Sequence, residues 1–327
     1  MATPGTLERL VLALERIANS LERLEHVLAD HKRPFAGTDG EATQKVKHPL
    51  STVINNMERL PATVATFSDS THKVAFSPEE QLRDWLAQRE LVLQNTTIVP
   101  PDEEPWDWFA YFLGERFSVL RPFYEQWKRA LHLRQTFVLH LQDAPPRQIS
   151  DITQFALKLK EASLVVSFQY TKATRTLRVT PALSPDIINF VTGGWLERYI
   201  GRLLWQTASH IGLQPHRFVV FRNIQIVLPN AQQTELDLLA LYQGQALWLE
   251  SKTGDYSASV ERWKQNNFYL KLPPTHAGIV LLEPLSTTAQ QMLEQRTGMQ
   301  VLSLNDLPTF LNNAMRAWVE AEESLPV

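Results

Sequence analysis

The chain has 327 residues, 44% hydrophobic and 20% charged, with a formal net charge of −3 and no cysteine. That composition suits a water-soluble protein with room for one large domain or two ordinary ones, and it excludes thiolate catalysis and cysteine zinc sites. No apolar run approaches the roughly 18 residues of a membrane span and no signal peptide opens the sequence, so a cytoplasmic protein without a membrane partner is expected.

Leu7, Leu10, Leu14, Ile17, Leu21, Leu24 and Leu28 recur in steps of three and four, the a/d seam of a coiled coil. The competing reading is an amphipathic helix packed on its own core. The polar stretch that follows favours self-association, so residues 1–32 are expected to form a homo-oligomer through 7–28. Residues 33–76 mix Pro, Gly, Thr, Ser and Lys with little periodicity and read as a linker, disordered in part.

Ser77-Pro78-Glu79-Glu80 marks a helix start, with a capping serine, proline at the first position and acids in the first turn. A second helix is predicted from Pro105 through WDWFAYFLGERFSVLRPFYEQWKRAL, bent or broken at Pro122. A third, ISDITQFALKLKEA, leads into the strands SLVVSFQY and TLRVTP. Three helices and a hairpin follow the order of a winged-helix module. Between Arg116 and Arg178 eleven Lys and Arg stand against four Asp and Glu. Residues 77–180 therefore read either as a winged-helix-like nucleic-acid-binding module or as a helical connector with a solvated basic face.

From Pro181 helical and strand patterns alternate: SPDIINFVTGGWLERYIGRLLWQTASHIG (helical, with a break expected at Gly193-Gly194), RFVVFRNIQIVL, a strand pair over 234–252, the helix SASVERWKQNNFYLKL, AGIVLLEP, TTAQQMLEQRTG, MQVLSL and a final helix. This predicts an α/β (α+β) domain over 181–327, with a mixed central sheet flanked by helices.

The segment TELDLLALYQGQALWLESKTG, residues 234–254, is apolar except for Glu235, Asp237, Glu250 and Lys252 near its two ends. Gln243 and Gly244 suit a two-residue hairpin turn. Tyr242 then faces Gln245, Asp237 faces Glu250, Glu235 faces Lys252, and regular alternation puts all four charges in one patch. Opposed carboxylates repel unless a countercharge lies between them. Hard oxygen ligands suit Mg²⁺ or Mn²⁺, to which the Ser251 carbonyl adds another oxygen. Lys252 would then stand beside the attacking water and the scissile phosphate. The rival reading is a surface salt-bridge cluster, which the covered, apolar strands disfavour. Glu235 is expected behind the others, paired with Lys252 or touching the cation peripherally.

Asp237 followed by Glu250-Ser251-Lys252 after a hydrophobic strand resembles the PD-(D/E)xK nuclease superfamily, with Leu236-Asp237 in place of the nominal Pro-Asp. More narrowly, GGWLERYI, the hairpin segment and the helix after it look like the nuclease domain of the CRISPR-associated ancillary nucleases that cyclic oligoadenylate activates. The likeness runs from about Pro185 to Pro284. It implies a restriction-endonuclease-like fold, metal-dependent phosphodiester hydrolysis and a metal-site role for the helix acid Glu197. Gln265 and Tyr269 match the QxxxY pattern of the helicase-associated branch, which would help hold substrate with Arg262 and Lys264 as phosphate contacts. Residues 1–150 lack the strand-rich alternation of that family's N-terminal Rossmann-like sensor, so the activator is not carried over.

The expected function is a Mg²⁺- or Mn²⁺-dependent endonuclease, with DNA favoured over RNA as substrate although the same metal ligands serve both, and antiviral defence as its setting. Two readings stay open beside it: an inactive nuclease fold that binds nucleic acid or scaffolds a partner, and a restriction- or repair-type endonuclease outside CRISPR defence.

Overall fold

The computed structural model describes residues 77–102 and 104–323. The coiled coil expected over 7–28 and the linker over 33–76 lie outside the described residues. Ser77 caps helix α1 (Pro78–Ala87): its hydroxyl accepts the Glu80 amide at 3.2 Å, and the Glu80 carboxylate accepts the Ser77 amide at 2.7 Å. Strand β1 (Val92–Val99) follows. Apolar alternation does not announce it, since Leu93 and Val99 are its only buried residues.

The long helix expected from Pro105 is two, α2 (Pro105–Glu115) and α3 (Phe117–Leu133). The break falls at Arg116 (φ −121°, ψ 22°), while Pro122 is carried inside α3. Gly114 supplies the reason. A Cβ there would lie 2.6 Å from Tyr199 Cγ, so glycine permits close helix packing while weakening the end of α2.

Strands β2 (Phe137–His140), β3 (Val165–Thr171) and β4 (Thr176–Pro181) form an antiparallel sheet in the order β2-β4-β3, with α4 (Pro146–Glu161) between β2 and β3 in the chain. The expected hairpin thus has a third strand. Helix α5 (Pro185–Asn189) passes into α6 (Trp195–His210) through a π-helical turn over Phe190–Gly194. That turn ends on the two glycines where the sequence predicts a break.

The remaining elements are β5 (Phe218–Val227), β6 (Gln233–Tyr242), β7 (Gln245–Lys252), α7 (Val260–Leu270), β8 (Ala277–Leu281), α8 (Thr287–Thr297), β9 (Gln300–Leu302) and α9 (Leu307–Glu323). They complete a six-stranded sheet of order β1-β5-β6-β7-β8-β9, antiparallel from β1 to β7 and parallel from β7 to β9. This is the mixed sheet flanked by helices that the sequence predicts.

Each face of the sheet has its own core. Residues of α2, α3, α4, α6 and α9, including Trp195 and Trp318, cover one face; those of α1, α7 and α8, with Trp263, cover the other. Because β1 pairs with β5, segments 77–180 and 181–327 share a sheet and both of its cores. Among the described residues no helix is long and apolar enough to cross a membrane.

Candidate active site

Gln243 and Gly244 take φ values of 51° and 82° and close the two-residue turn between β6 and β7. Tyr242 faces Gln245, and the ladder runs to Leu238 opposite Leu249, in the predicted register. At the next step, Asp237 and Glu250, side-chain carboxylates replace backbone carbonyls as acceptors. The Asp237 amide donates to Glu250 Oε1 at 3.1 Å. In return the Ser251 amide donates to Asp237 Oδ2 at 2.8 Å, joined by the Ser251 hydroxyl at 3.3 Å.

The regular alternation assumed for β6 does not hold. Leu236 packs in the same core as Leu239 and Leu241, while Leu238 joins Ala240 and Tyr242 in the other. The faces change over at Asp237. On the neighbouring strand Asn223 lies between Arg222, opposite Leu238, and Ile224, opposite Leu236, and it takes φ 52°. A left-handed residue within a strand breaks the period of two.

Glu250 is fully buried. Beyond the Asp237 amide, Trp248 Nε1 donates to its Oε1 at 3.1 Å, and Trp263 Nε1 and Arg262 Nη2 donate to Oε2 at 2.6 and 3.2 Å. A carboxylate offers about four lone-pair positions, so none remains for a cation. Glu250 thus anchors Asp237, two indoles and Arg262, and the metal-ligand role expected of it would require some of these donors to give way. Burial and the Asp237 charge push its carboxyl up to about 8, with Arg262 and the N–H donors acting the other way. Burial also raises Asp237, opposed by the Ser251 amide, Lys252 and Arg262.

Glu197 lies in the first turn of α6, half-buried, with no hydrogen-bond or ion-pair partner among the described residues. Burial lifts its carboxyl to about 7, followed by the Asp237 charge; Glu235 adds to the rise, while Arg222 and Lys252 oppose it. Glu197, Asp237, Glu235 and Lys252 thus lie within electrostatic reach of one another although they come from a helix and two strands. Among the described residues no three His, Cys, Asp or Glu side chains are spaced to hold a metal ion. Of the set expected from Asp237, Glu250, Ser251 and Glu197, the acids Asp237 and Glu197 stand near Lys252, while Glu250 accepts four N–H groups and Ser251 donates to Asp237.

Of the expected substrate contacts, Arg262 reaches Glu250 and its charge acts on Asp237. Gln265 instead donates to Gln232 Oε1 at 3.0 Å, Tyr269 packs against the core under α7, and Lys264 is exposed.

Three contributors went unread in the sequence. Arg222, whose buried Nε has no partner, is the polar interruption of the apolar run RFVVFRNIQIVL. Trp263 lies within the helix pattern SASVERWKQNNFYLKL, where nothing local marks its indole as a donor to Glu250. Lys128 of α3 donates to Thr253 O at 3.1 Å and Thr253 Oγ1 at 3.2 Å, and the Thr253 hydroxyl donates to Thr192 O. It ties the residue after Lys252 to the π turn before Glu197, and no local sequence signal marks it.

No protein-family model matches the chain, and no curated protein matches it. Among solved structures it is similar to the protein VC1899 from Vibrio cholerae, with a TM-score of 0.47 and 18% identity over 73% of this chain and 61% of that one. It is also similar to Can2 from Sulfobacillus thermosulfidooxidans in complex with cyclic tetra-adenylate, with a TM-score of 0.47 and 16% identity over 73% of this chain and 60% of that one. The chain matches about three-fifths of the length of each.

Proposed function

We propose that the chain is a Mg²⁺- or Mn²⁺-dependent nuclease that hydrolyses phosphodiester bonds, nicking or cutting DNA. One observation carries the reading: Glu197, a half-buried carboxylate with no hydrogen-bond or ion-pair partner among the described residues, lies within reach of the Asp237 charge and of Lys252. Such a pair of acids calls for a cation. The donor chemistry fits, since hard divalent ions keep several waters and need only one or two protein carboxylates. Asp237 Oδ1 takes no hydrogen bond among the described residues, and the two donors from Ser251 hold its other oxygen.

When bound, the ion would neutralise the two acids and polarise the phosphate. The chain's own groups do the rest. Lys252 places a positive charge against the negative charge that develops on the phosphate. Arg222 supplies a second cation beside Glu197. Glu250 keeps Asp237 in place through its amide and restrains Arg262. Pairing through residues 7–28 would bring two such sites together, which suits cleavage of both strands. The family resemblance makes antiviral defence the setting.

The test is incubation of the purified chain with supercoiled plasmid and Mn²⁺. Nicking that needs the metal and disappears in Lys252→Ala and Asp237→Ala is the expected result. A folded chain that cuts with no divalent metal overturns the reading. The saturation of Glu250 favours one rival, an inactive nuclease fold that binds nucleic acid. Its signature is a salt-dependent mobility shift without cleavage.

A further inference from the structure

A cavity of about 580 Å³ opens between α3, the π turn and the residue that follows Lys252. Its wall carries Lys128, Arg129, His132 and Arg134 from α3 and the turn after it, together with Thr192 and Thr253. Two acids, Glu125 and Glu283, border it, and Arg121 holds both, at 2.6 and 2.8 Å. Arg129, His132 and Arg134 have no ion pair or side-chain hydrogen bond among the described residues, and all three are exposed. Lys128 donates to Thr253 and lies 5.9 Å from the Tyr124 ring centre, with no ion pair among the described residues. The cleft is therefore cationic after its own acids are accounted for.

Phe117 and the buried Tyr124 add aromatic rings to the wall. Phe117 stacks on Trp195 at 5.6 Å and borders the cleft as a half-buried surface. Anchored and unpaired cations beside an aromatic surface are the elements that hold single-stranded nucleic acid, the cations on phosphates and the ring under a base. The volume lies in the range of small-ligand sites and admits a nucleotide, not a turn of duplex. Position gives the cleft its meaning: Thr192 lies in the turn that leads into Glu197, and Thr253 follows Lys252.

We propose that this cleft holds the phosphodiester backbone of one nucleic-acid strand next to the candidate active site. The inference rests on the nuclease reading for its substrate class. It places the contact on α3 and not on a recognition helix of a winged-helix module.

The experiment is fluorescence anisotropy with the full chain in EDTA, where no cleavage occurs. The probes are a fluorescein-labelled oligothymidylate, an oligouridylate of equal length and a duplex of that length. Single strands should bind more tightly than the duplex, and whichever strand binds more tightly identifies the preferred sugar. Arg129→Ala combined with Arg134→Ala, both on the surface, should weaken binding by on the order of tenfold. The slope of log affinity against log salt should become shallower by about 0.7 for each phosphate contact removed.

Unchanged affinity and slope overturn the proposal. So does an equal loss in Arg83→Ala combined with Arg316→Ala, which removes as much charge elsewhere. Parallel plasmid assays separate the two readings. A chain that binds through the cleft but fails to cut with either Mg²⁺ or Mn²⁺ keeps this inference and sinks the nuclease; cleavage with binding indifferent to Arg129 and Arg134 does the reverse.

Discussion

The amide of Asp237 donates to Glu250 Oε1 at 3.1 Å, so one member of an apparently repelling acid pair holds the backbone of the other. All four donors to Glu250 are N–H groups. In Glu250→Gln one oxygen becomes an NH₂ that faces two donors and satisfies neither. The variant should lose about 1–3 kcal/mol of stability, read by urea denaturation. Wild-type stability in Glu250→Gln would remove the anchoring role.

Glu197 shares the upward shift of Glu250 but accepts no hydrogen bond among the described residues. Burial and the Asp237 charge make its ionised form unfavourable in the folded chain. Glu197→Gln should therefore raise the stability of the metal-free protein by about 1–3 kcal/mol while abolishing cleavage. Mn²⁺ at a hundredfold its dissociation constant should add about 2.7 kcal/mol to the wild type, a rise in Tm of roughly 5–10 °C. The variant should show little of that rise. Equal metal shifts in both proteins would place the ion elsewhere.

Arg198 donates to Glu104 and to buried Asp107, linking α6 to the start of α2. Its hydrogen bond holds the Glu104 carboxyl below the ordinary value of 4.5. For a depressed acid, the stabilising contribution is present above the unfolded value and is lost as pH falls through the folded one. Glu104→Gln should cost less than about 1 kcal/mol at pH 7, because the Glu104 side chain is 40% exposed and water screens the pair. The difference from wild type should shrink toward zero in acid, followed by urea titrations over that range. A gap that widens below pH 4 contradicts the assignment.

Gly114→Ala tests the joint between α2 and α6. The added methyl would meet the Tyr199 ring, whose hydroxyl donates to Glu115 at 2.9 Å. Overpacking should cost about 1–3 kcal/mol despite alanine's better helix propensity. A gain in the thermal midpoint would show that the two helices can separate without loss.

Elements with a strong periodic signal were legible before any coordinates. The Ser77 helix start, the Gln243-Gly244 turn and the alternation of helix and strand beyond Pro181 follow from capping, positive φ and apolar spacing. Strand β1 was not legible because its stability comes from pairing with β5 rather than from its own side chains. The helix break at Arg116 was hidden for a similar reason: Pro122 is the local signal, but the ring of Tyr199 dictates where the chain must narrow.

For the candidate site, the sequence by itself determined the hairpin register and which acids stand near its open end, because a two-residue turn leaves the pairing no freedom. Only the tertiary structure decided what those acids do. The change of faces at Asp237, opposite Asn223, and the indoles of Trp248 and Trp263 draw Glu250 inward, while α6 brings Glu197 to Asp237. Hydrogen-bond saturation and burial depend on neighbours far away in the chain, so no pattern of adjacent residues encodes them.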